Sequence, residues 1–174
     1  PKVLLLDATH SVNSYRWPLF IILVQNEYGM GVPVCFMVSS ASTENEIHLF
    51  LKSFYNFIGA AHFDARAIMV DCDVAEINAI NNFASQNNLS TVPILCFFHV
   101  LQAIERWMHQ HHISSDVMEK VKSVINVARF SRTAENFEKC WSDLHHYLDQ
   151  HNKIELGKYL ENNWFKREWA ERWS

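Results

Sequence analysis

Five short apolar runs without helical spacing occur in the first two thirds of the chain. Such runs predict strands, here residues 3–9, 19–25, 32–38, 67–70 and 91–96. The first run does not alternate, which is typical of a central strand buried on both faces. Residues 26–31 contain two glycines and predict a hairpin turn. Pro93 in the last run indicates an edge strand or an irregularity. The first three strands are therefore expected to pair antiparallel.

Amphipathic segments follow the third, fourth and fifth runs. Thr43 and Glu46 have the spacing of a capping box, and Gly59 is a plausible end for the helix that they begin. A second helix is expected after Asp71 and a third from His99. Apolar residues at helical spacing predict the buried face of each helix. In the first helix they are Ile47, Phe50, Leu51, Phe54, Phe57 and Ile58. In the second helix they are Ile77, Ile80 and Phe83, and in the third Val100, Ala103, Ile104 and Trp107.

From residue 114 onward the pattern is helical only. Its apolar stripes are Val117, Val121, Val124 and Ala128, then Phe137, Trp141, Leu144 and Leu148, then Phe165, Trp169 and Trp173. This order of elements predicts an α/β fold, namely a ribonuclease H-like mixed five-stranded sheet with flanking helices, followed by an α-helical insertion. The expected division is a core of residues 1–112, which lacks one catalytic acid, and a helical insertion segment of residues 113–174.

Composition narrows the class of protein. The 174 residues carry a formal charge of −4, which argues against a broad basic face for gripping DNA. No apolar run approaches the roughly 18 residues of a membrane span. Four widely spaced cysteines form no Cys-x-x-Cys pair, which favours a reducing compartment. The chain starts at Pro1 without a signal peptide or an initiator Met, so it is expected to be part of a longer protein.

Two predicted strands lead into aspartates, Asp7 and Asp71. Neighbouring strands can bring such side chains to one rim of a sheet, and carboxylates are the ligands that Mg²⁺ prefers. The alternative is that each residue only ends a strand or caps a turn. Asp73 and Glu76 have the spacing of an N-cap and an acid at the third helical position, which favours capping by Asp73, with metal ligation as the other interpretation.

Several motifs in order resemble the transposase domain of Mutator-like elements (MULE) over residues 3–110. The matching segments are Asp7-Ala-Thr9 with Asn13, Tyr15 and Pro18-Leu19; Gly31-Val-Pro33; Asp71-Cys-Asp73 with Ala79-Ile80; Cys96-Phe-Phe-His99; and the tryptophan-rich segment from Trp164 to Trp173. One departure is important. The third acid of that family lies near a Thr-Asn-Asn-x-x-Glu signature beyond the helical insertion, and this chain contains no such signature.

The resemblance implies part of a DDE-type DNA transposase that cleaves phosphodiester bonds and transfers strands with two divalent ions, Mg²⁺ or Mn²⁺. Asp7 and Asp71 would be the catalytic metal ligands, with Asp73 a further candidate. Cys96 and His99 would orient the site or contact DNA, although a packed cysteine and a satisfied histidine are an open alternative. The expected partners are transposon ends, target DNA and further copies of the protein assembled on DNA. The expected location is the nucleus, with no membrane contact.

The sequence is also compatible with two other classes of protein. The protein could be a domesticated, non-catalytic descendant that binds DNA or regulates transcription, or a ribonuclease H-like nuclease unrelated to transposition. Substitutes for the third acid have no positional support; they are Glu105, Glu119, Glu161 and Glu168. Three nearby histidines, at 109, 111 and 112, are best explained as a solvated helix end, and Lys166, Arg167 and Arg172 as a solvated helix face.

Overall fold

The computed structural model describes residues 2–165. Its strands are β1 (Val3–Thr9), β2 (Leu19–Gln25), β3 (Gly31–Val38), β4 (Ala67–Val70) and β5 (Val92–Leu95). Its α-helices are α1 (Glu44–Ile58), α2 (Val74–Gln86), α3 (Phe97–Gln110), α4 (Ser115–Ala128), α5 (Ala134–Gln150) and α6 (Ile154–Leu160). A 3₁₀ turn (Ala60–His62) follows α1, and a π-helical turn (Glu161–Phe165) follows α6.

The chain divides into two compact units, Pro1–Cys96 and Phe97–Ser174. This places α3 in the second unit, whereas the sequence-based division falls after residue 112; the functional boundary remains a prediction. The predictions for Trp169, Trp173, Glu168, Lys166, Arg167 and Arg172 lie outside the described residues.

The five strands form one mixed sheet in the order β3-β2-β1-β4-β5. β1 pairs antiparallel with β2, and β2 with β3, whereas β1–β4 and β4–β5 are parallel. The predicted hairpin, helical crossovers and mixed sheet are therefore confirmed. Pro33 and Pro93 lie in the two edge strands, β3 and β5, where a missing backbone N–H does not interrupt the interior of the sheet.

The core of the first unit is built from the stripe predicted on α1 and the face predicted on α2. Phe83 is fully buried and meets the rings of Tyr55 and Phe63 edge-on, with centroids 5.6 Å away in both cases. The prediction that Phe57 faces inward is wrong, because its side chain is 88% exposed in the last turn of α1. That helix ends as expected at Gly59, whose φ of 82° favours a residue without a Cβ.

The N-terminus of α1 differs in detail from the predicted capping box. Thr43 is the N-cap residue, but its side chain makes no capping bond to the helix backbone. The Thr43 hydroxyl instead donates to the Glu46 carboxylate. This hydrogen bond is the main cause of a lowered pKa of Glu46. The spacing of the two residues therefore located the helix start correctly but not the hydrogen bonds.

Helices α3 to α6 of the second unit are held together by apolar stripes and stacked rings. The predicted stripes of α4 and α5 are buried at Val117, Val121, Ala128, Leu144 and Leu148, with Ile125 buried and Val124 only half-buried. Trp107 stacks on Tyr159 with ring centroids 4.5 Å apart, and Trp141 stacks on Phe165 at 4.4 Å. The described helices include none that is both long and apolar enough to cross a bilayer.

Candidate functional site: a carboxylate cluster at the ends of β1 and β4

The sheet register brings Asp7 and Asp71 to the same level. Leu5 on β1 pairs with Met69 on the parallel neighbour β4, so two residues further along each strand the chain reaches Asp7 and Asp71. Asp7 lies within β1, opposite Ile21 of β2, and Asp71 follows the last residue of β4. Both are half-buried. The structure thus places the two sequence-predicted carboxylates on neighbouring strands at one rim of the sheet.

Asp73 caps α2. It is the N-cap residue, and its carboxylate accepts a hydrogen bond of 2.7 Å from the backbone N–H of Ala75. The capping interpretation is confirmed, while a metal-binding role for Asp73 remains a prediction. The cap fixes the turn that joins Asp71 to the helix.

We expect replacement of Asp73 by alanine to lower the free energy of unfolding by about 1 kcal/mol, because an N–H at the start of α2 loses its acceptor. Urea denaturation of the purified chain measures this change. The matched control is Asp73→Ser, which retains an oxygen acceptor and should recover most of the loss. Equal stability of the alanine variant and the native chain would contradict a stabilising cap.

Glu76 is the acid that sequence reasoning missed. It is only 3% exposed, and its Oε2 accepts a hydrogen bond of 3.2 Å from the backbone N–H of Asp71. Its pKa is raised from 4.5 to about 8, first by burial and then by the negative charges of Asp71, Asp73 and Asp7, while the Asp71 N–H opposes the shift. Glu76 therefore lies within electrostatic range of the other three carboxyl groups, and these four residues make up the carboxylate cluster.

The ends of β4 and β5 add two thiols beside this cluster. Cys96 follows β5, and its N–H donates to the carbonyl of Val70 at 2.7 Å. The pKa of Cys72 is raised to about 12, mainly by burial and further by Asp71, Cys96 and Glu76. Cys72 is therefore a protonated thiol at neutral pH and a poor nucleophile or metal ligand as it stands.

The remaining sequence candidates lie in the second unit. His99 is half-buried in α3, with its ring against Phe98 at 5.2 Å. Glu105 forms an ion pair with Lys122 of α4, and Glu119 and Glu161 are exposed. The histidines at 109, 111 and 112 are exposed at the end of α3, which agrees with a solvated helix end. The roles of Cys96 and His99 in orienting the site or contacting DNA remain predictions.

The donor chemistry of Asp7 and Asp71 suits a hard divalent cation, which commonly keeps several waters and uses one or two carboxylates. Within residues 2–165, no group of three or more His, Cys, Asp or Glu side chains is arranged to hold a metal ion. A metal-binding role for Asp7 and Asp71 therefore remains a prediction. Glu76 lies beside them as a buried carboxyl group that is largely protonated at neutral pH.

The mixed sheet, its flanking helices and its rim of carboxylates define a ribonuclease H-like α/β domain. Residues 1–89 match the family model described as zinc finger SWIM domain-containing protein 1/3, RNaseH-like domain. The chain belongs to this family, and the matched region runs from β1 through α2 and includes all four clustered acids. The match confirms the ribonuclease H-like superfamily and fold, which is a coarser identification than a Mutator-like transposase. No curated protein matches the chain.

Proposed function

We propose that the chain is part of a Mutator-like DNA transposase of the DDE type, in which Asp7 and Asp71 bind Mg²⁺ or Mn²⁺. The observation that supports this most is the pairing of β1 with β4, which brings these two carboxylates to one rim of a ribonuclease H-like sheet. Bound divalent ions would activate the attacking oxygen and stabilise the leaving oxygen in phosphodiester cleavage and strand transfer. Transposon ends, target DNA, self-association on DNA and a nuclear location belong to this proposal.

The chain's own residues would prepare the site in three ways. β1 and β4 hold the carboxylates of Asp7 and Asp71 at the same level. The Asp73 cap fixes the turn after Asp71. Glu76 anchors the backbone of Asp71 from inside the protein. Together these contacts restrict the conformation of Asp71 before any ion or DNA is bound. Functional side chains need such support from the residues around them.

The first test of this proposal is Mn²⁺ binding by residues 1–174, followed by calorimetry or by the shift in melting temperature. We expect Asp7→Asn and Asp71→Asn each to weaken Mn²⁺ binding at least tenfold, because each removes one anionic ligand; a tenfold loss corresponds to about 1.4 kcal/mol. The matched control is Asp116→Asn, an exposed acid in the first turn of α4. Equal Mn²⁺ affinity in all four proteins would contradict the proposed metal site.

Cleavage requires a third carboxylate by family analogy, so residues 1–174 alone are expected not to cut DNA. Robust cleavage by residues 1–174 that is lost in Asp7→Ala would show this expectation to be wrong, and cleavage that persists in that variant would contradict the assigned site. Two observations on a longer parent protein would establish a transposase. One is an acid in a Thr-Asn-Asn-like context, and the other is Mn²⁺-dependent nicking of DNA that is lost in Asp71→Asn.

A second candidate function is a domesticated, non-catalytic protein that binds DNA or regulates transcription. It is favoured by the description of the matched family, whose members are named as zinc finger proteins, since zinc fingers commonly serve in nucleic-acid recognition. The parent protein separates the two candidates: DNA binding without Mn²⁺-dependent nicking, and with no effect of Asp71→Asn, would support the non-catalytic one.

A further inference from the structure

The second unit contains a groove of about 960 Å³ between the C-terminal half of α4 and the N-terminal half of α5. It lies away from the carboxylates in sequence and consists of residues 123–143 only. Its volume is in the range of sites that accept drug-sized ligands or larger segments. None of its lining residues belongs to the cluster formed by Asp7, Asp71, Asp73 and Glu76.

The groove is locally positive in a chain with a net charge of −4. Arg132 and Lys139 line it with one acid, Asp143. Both cations are exposed, and neither forms an ion pair with any of residues 2–165. Asn136, Lys139 and Asp143 recur at helical spacing on one face of α5, and Arg132 lies in the bend just before that helix. A multiply charged anion therefore finds free cations here.

An aromatic ring lies at the same groove. Phe130 is 71% exposed, and the guanidinium of Arg129 lies 4.4 Å from its ring centroid. The same guanidinium lies 4.3 Å from the centroid of Phe97. Arg129 thus contacts two rings, and most of the Phe130 surface remains open. An exposed ring beside exposed cations is the combination with which proteins bind unpaired bases and phosphates.

We propose that this groove binds single-stranded nucleic acid, with Phe130 stacking on a base and Arg132 and Lys139 contacting phosphates. A small inorganic anion would use the cations but not the ring. An acidic peptide would likewise leave the stacking surface unused. The inference rests on the DNA partner of the proposed function and deepens it by locating a contact outside the carboxylate rim. It needs no divalent ion.

The test is fluorescence anisotropy of a labelled oligothymidylate of about 20 nucleotides with residues 1–174, in EDTA and over a range of salt concentrations. The double variant Arg132→Gln/Lys139→Gln should bind at least tenfold more weakly at low salt. The slope of log K against log salt should fall in magnitude by about 1.4, since each phosphate contact on a single strand contributes about 0.7. Phe130→Ala should weaken binding about tenfold with little change in slope.

The matched control is Lys52→Gln/Lys158→Gln, which removes the same charge from two exposed positions outside the groove. Circular dichroism checks that each variant keeps its helices. Absence of oligonucleotide binding by the native chain, an equal loss in the control, or equal competition by polyglutamate would each overturn the proposal. Asp7→Asn and Asp71→Asn should bind the oligonucleotide normally in EDTA, so failure of the metal site and failure of the groove give different results.

Discussion

Replacement of Phe83 by alanine is expected to lower the free energy of unfolding by about 3–5 kcal/mol, which is typical of a buried aromatic residue truncated in a packed core. The Phe83 ring is fully buried and joins α2 to Tyr55 of α1 and to Phe63, which follows the 3₁₀ turn. Truncation would leave a cavity among these rings, since they approach Phe83 from different elements and cannot all close the gap. Urea denaturation monitored by circular dichroism measures the change.

Phe57→Ala is the matched control for this substitution. It removes the same side chain from the same unit, but at a position that is 88% exposed, so we expect a loss below about 0.5 kcal/mol. If both variants lost equal stability, the burial of Phe83 and its ring contacts could not describe the protein in solution.

Replacement of Glu76 by glutamine is expected to stabilise the chain at high pH and to have little effect at low pH. The folded-state pKa of Glu76, about 8, lies above its usual value of 4.5, so the folded protein binds more protons than the unfolded chain between these two values. The contribution of protonated Glu76 to the free energy of unfolding is fully present below pH 4.5 and is lost as the pH rises toward 8. Glutamine keeps an oxygen acceptor for the Asp71 N–H but carries no charge.

The measurement is a series of urea denaturation curves from pH 5 to pH 9 in EDTA. The stability difference in favour of Glu76→Gln should grow with pH to on the order of a few kcal/mol, since each unit of pKa shift corresponds to about 1.4 kcal/mol. Glu119→Gln removes a carboxylate from an exposed position on α4 and serves as the control. Parallel pH profiles for the native chain and Glu76→Gln would contradict a buried carboxyl group that charges only at high pH.

The sequence was most informative where one physical rule acts alone. Apolar runs located all five strands, and the spacing after Asp71 identified both the cap and the buried face of α2. Glu76 was correctly placed as the acid at the third position of α2, but its burial was not predicted, because two rules overlap there. Capping boxes place an acid at this position, and the same position shares a face with Ile80 and Phe83. Its four- and seven-residue spacing to those two core positions was the available sign that it is buried.

Other features depend on tertiary contacts that spacing does not reveal. Phe57 continues the apolar stripe of α1, yet it falls in the last turn and extends to solvent. The groove between α4 and α5 depends on how two helices and their connection pack. Cys72 and Cys96 are distant in sequence and become neighbours only because β4 pairs with β5.

The position of β1 in the sheet also has a consequence for how the protein folds. On one side of β1, Leu4 pairs with Val24 of β2, and on the other side it pairs with Ile68 of β4. The chain runs through the whole hairpin and α1 before it reaches Ile68. Closing that longer loop costs more conformational entropy than closing the hairpins, and non-local pairing slows folding. We expect the antiparallel strands to associate first and β4 to dock afterward. The rim that holds Asp7 and Asp71 would then be assembled late, when the slow parallel pairing is complete.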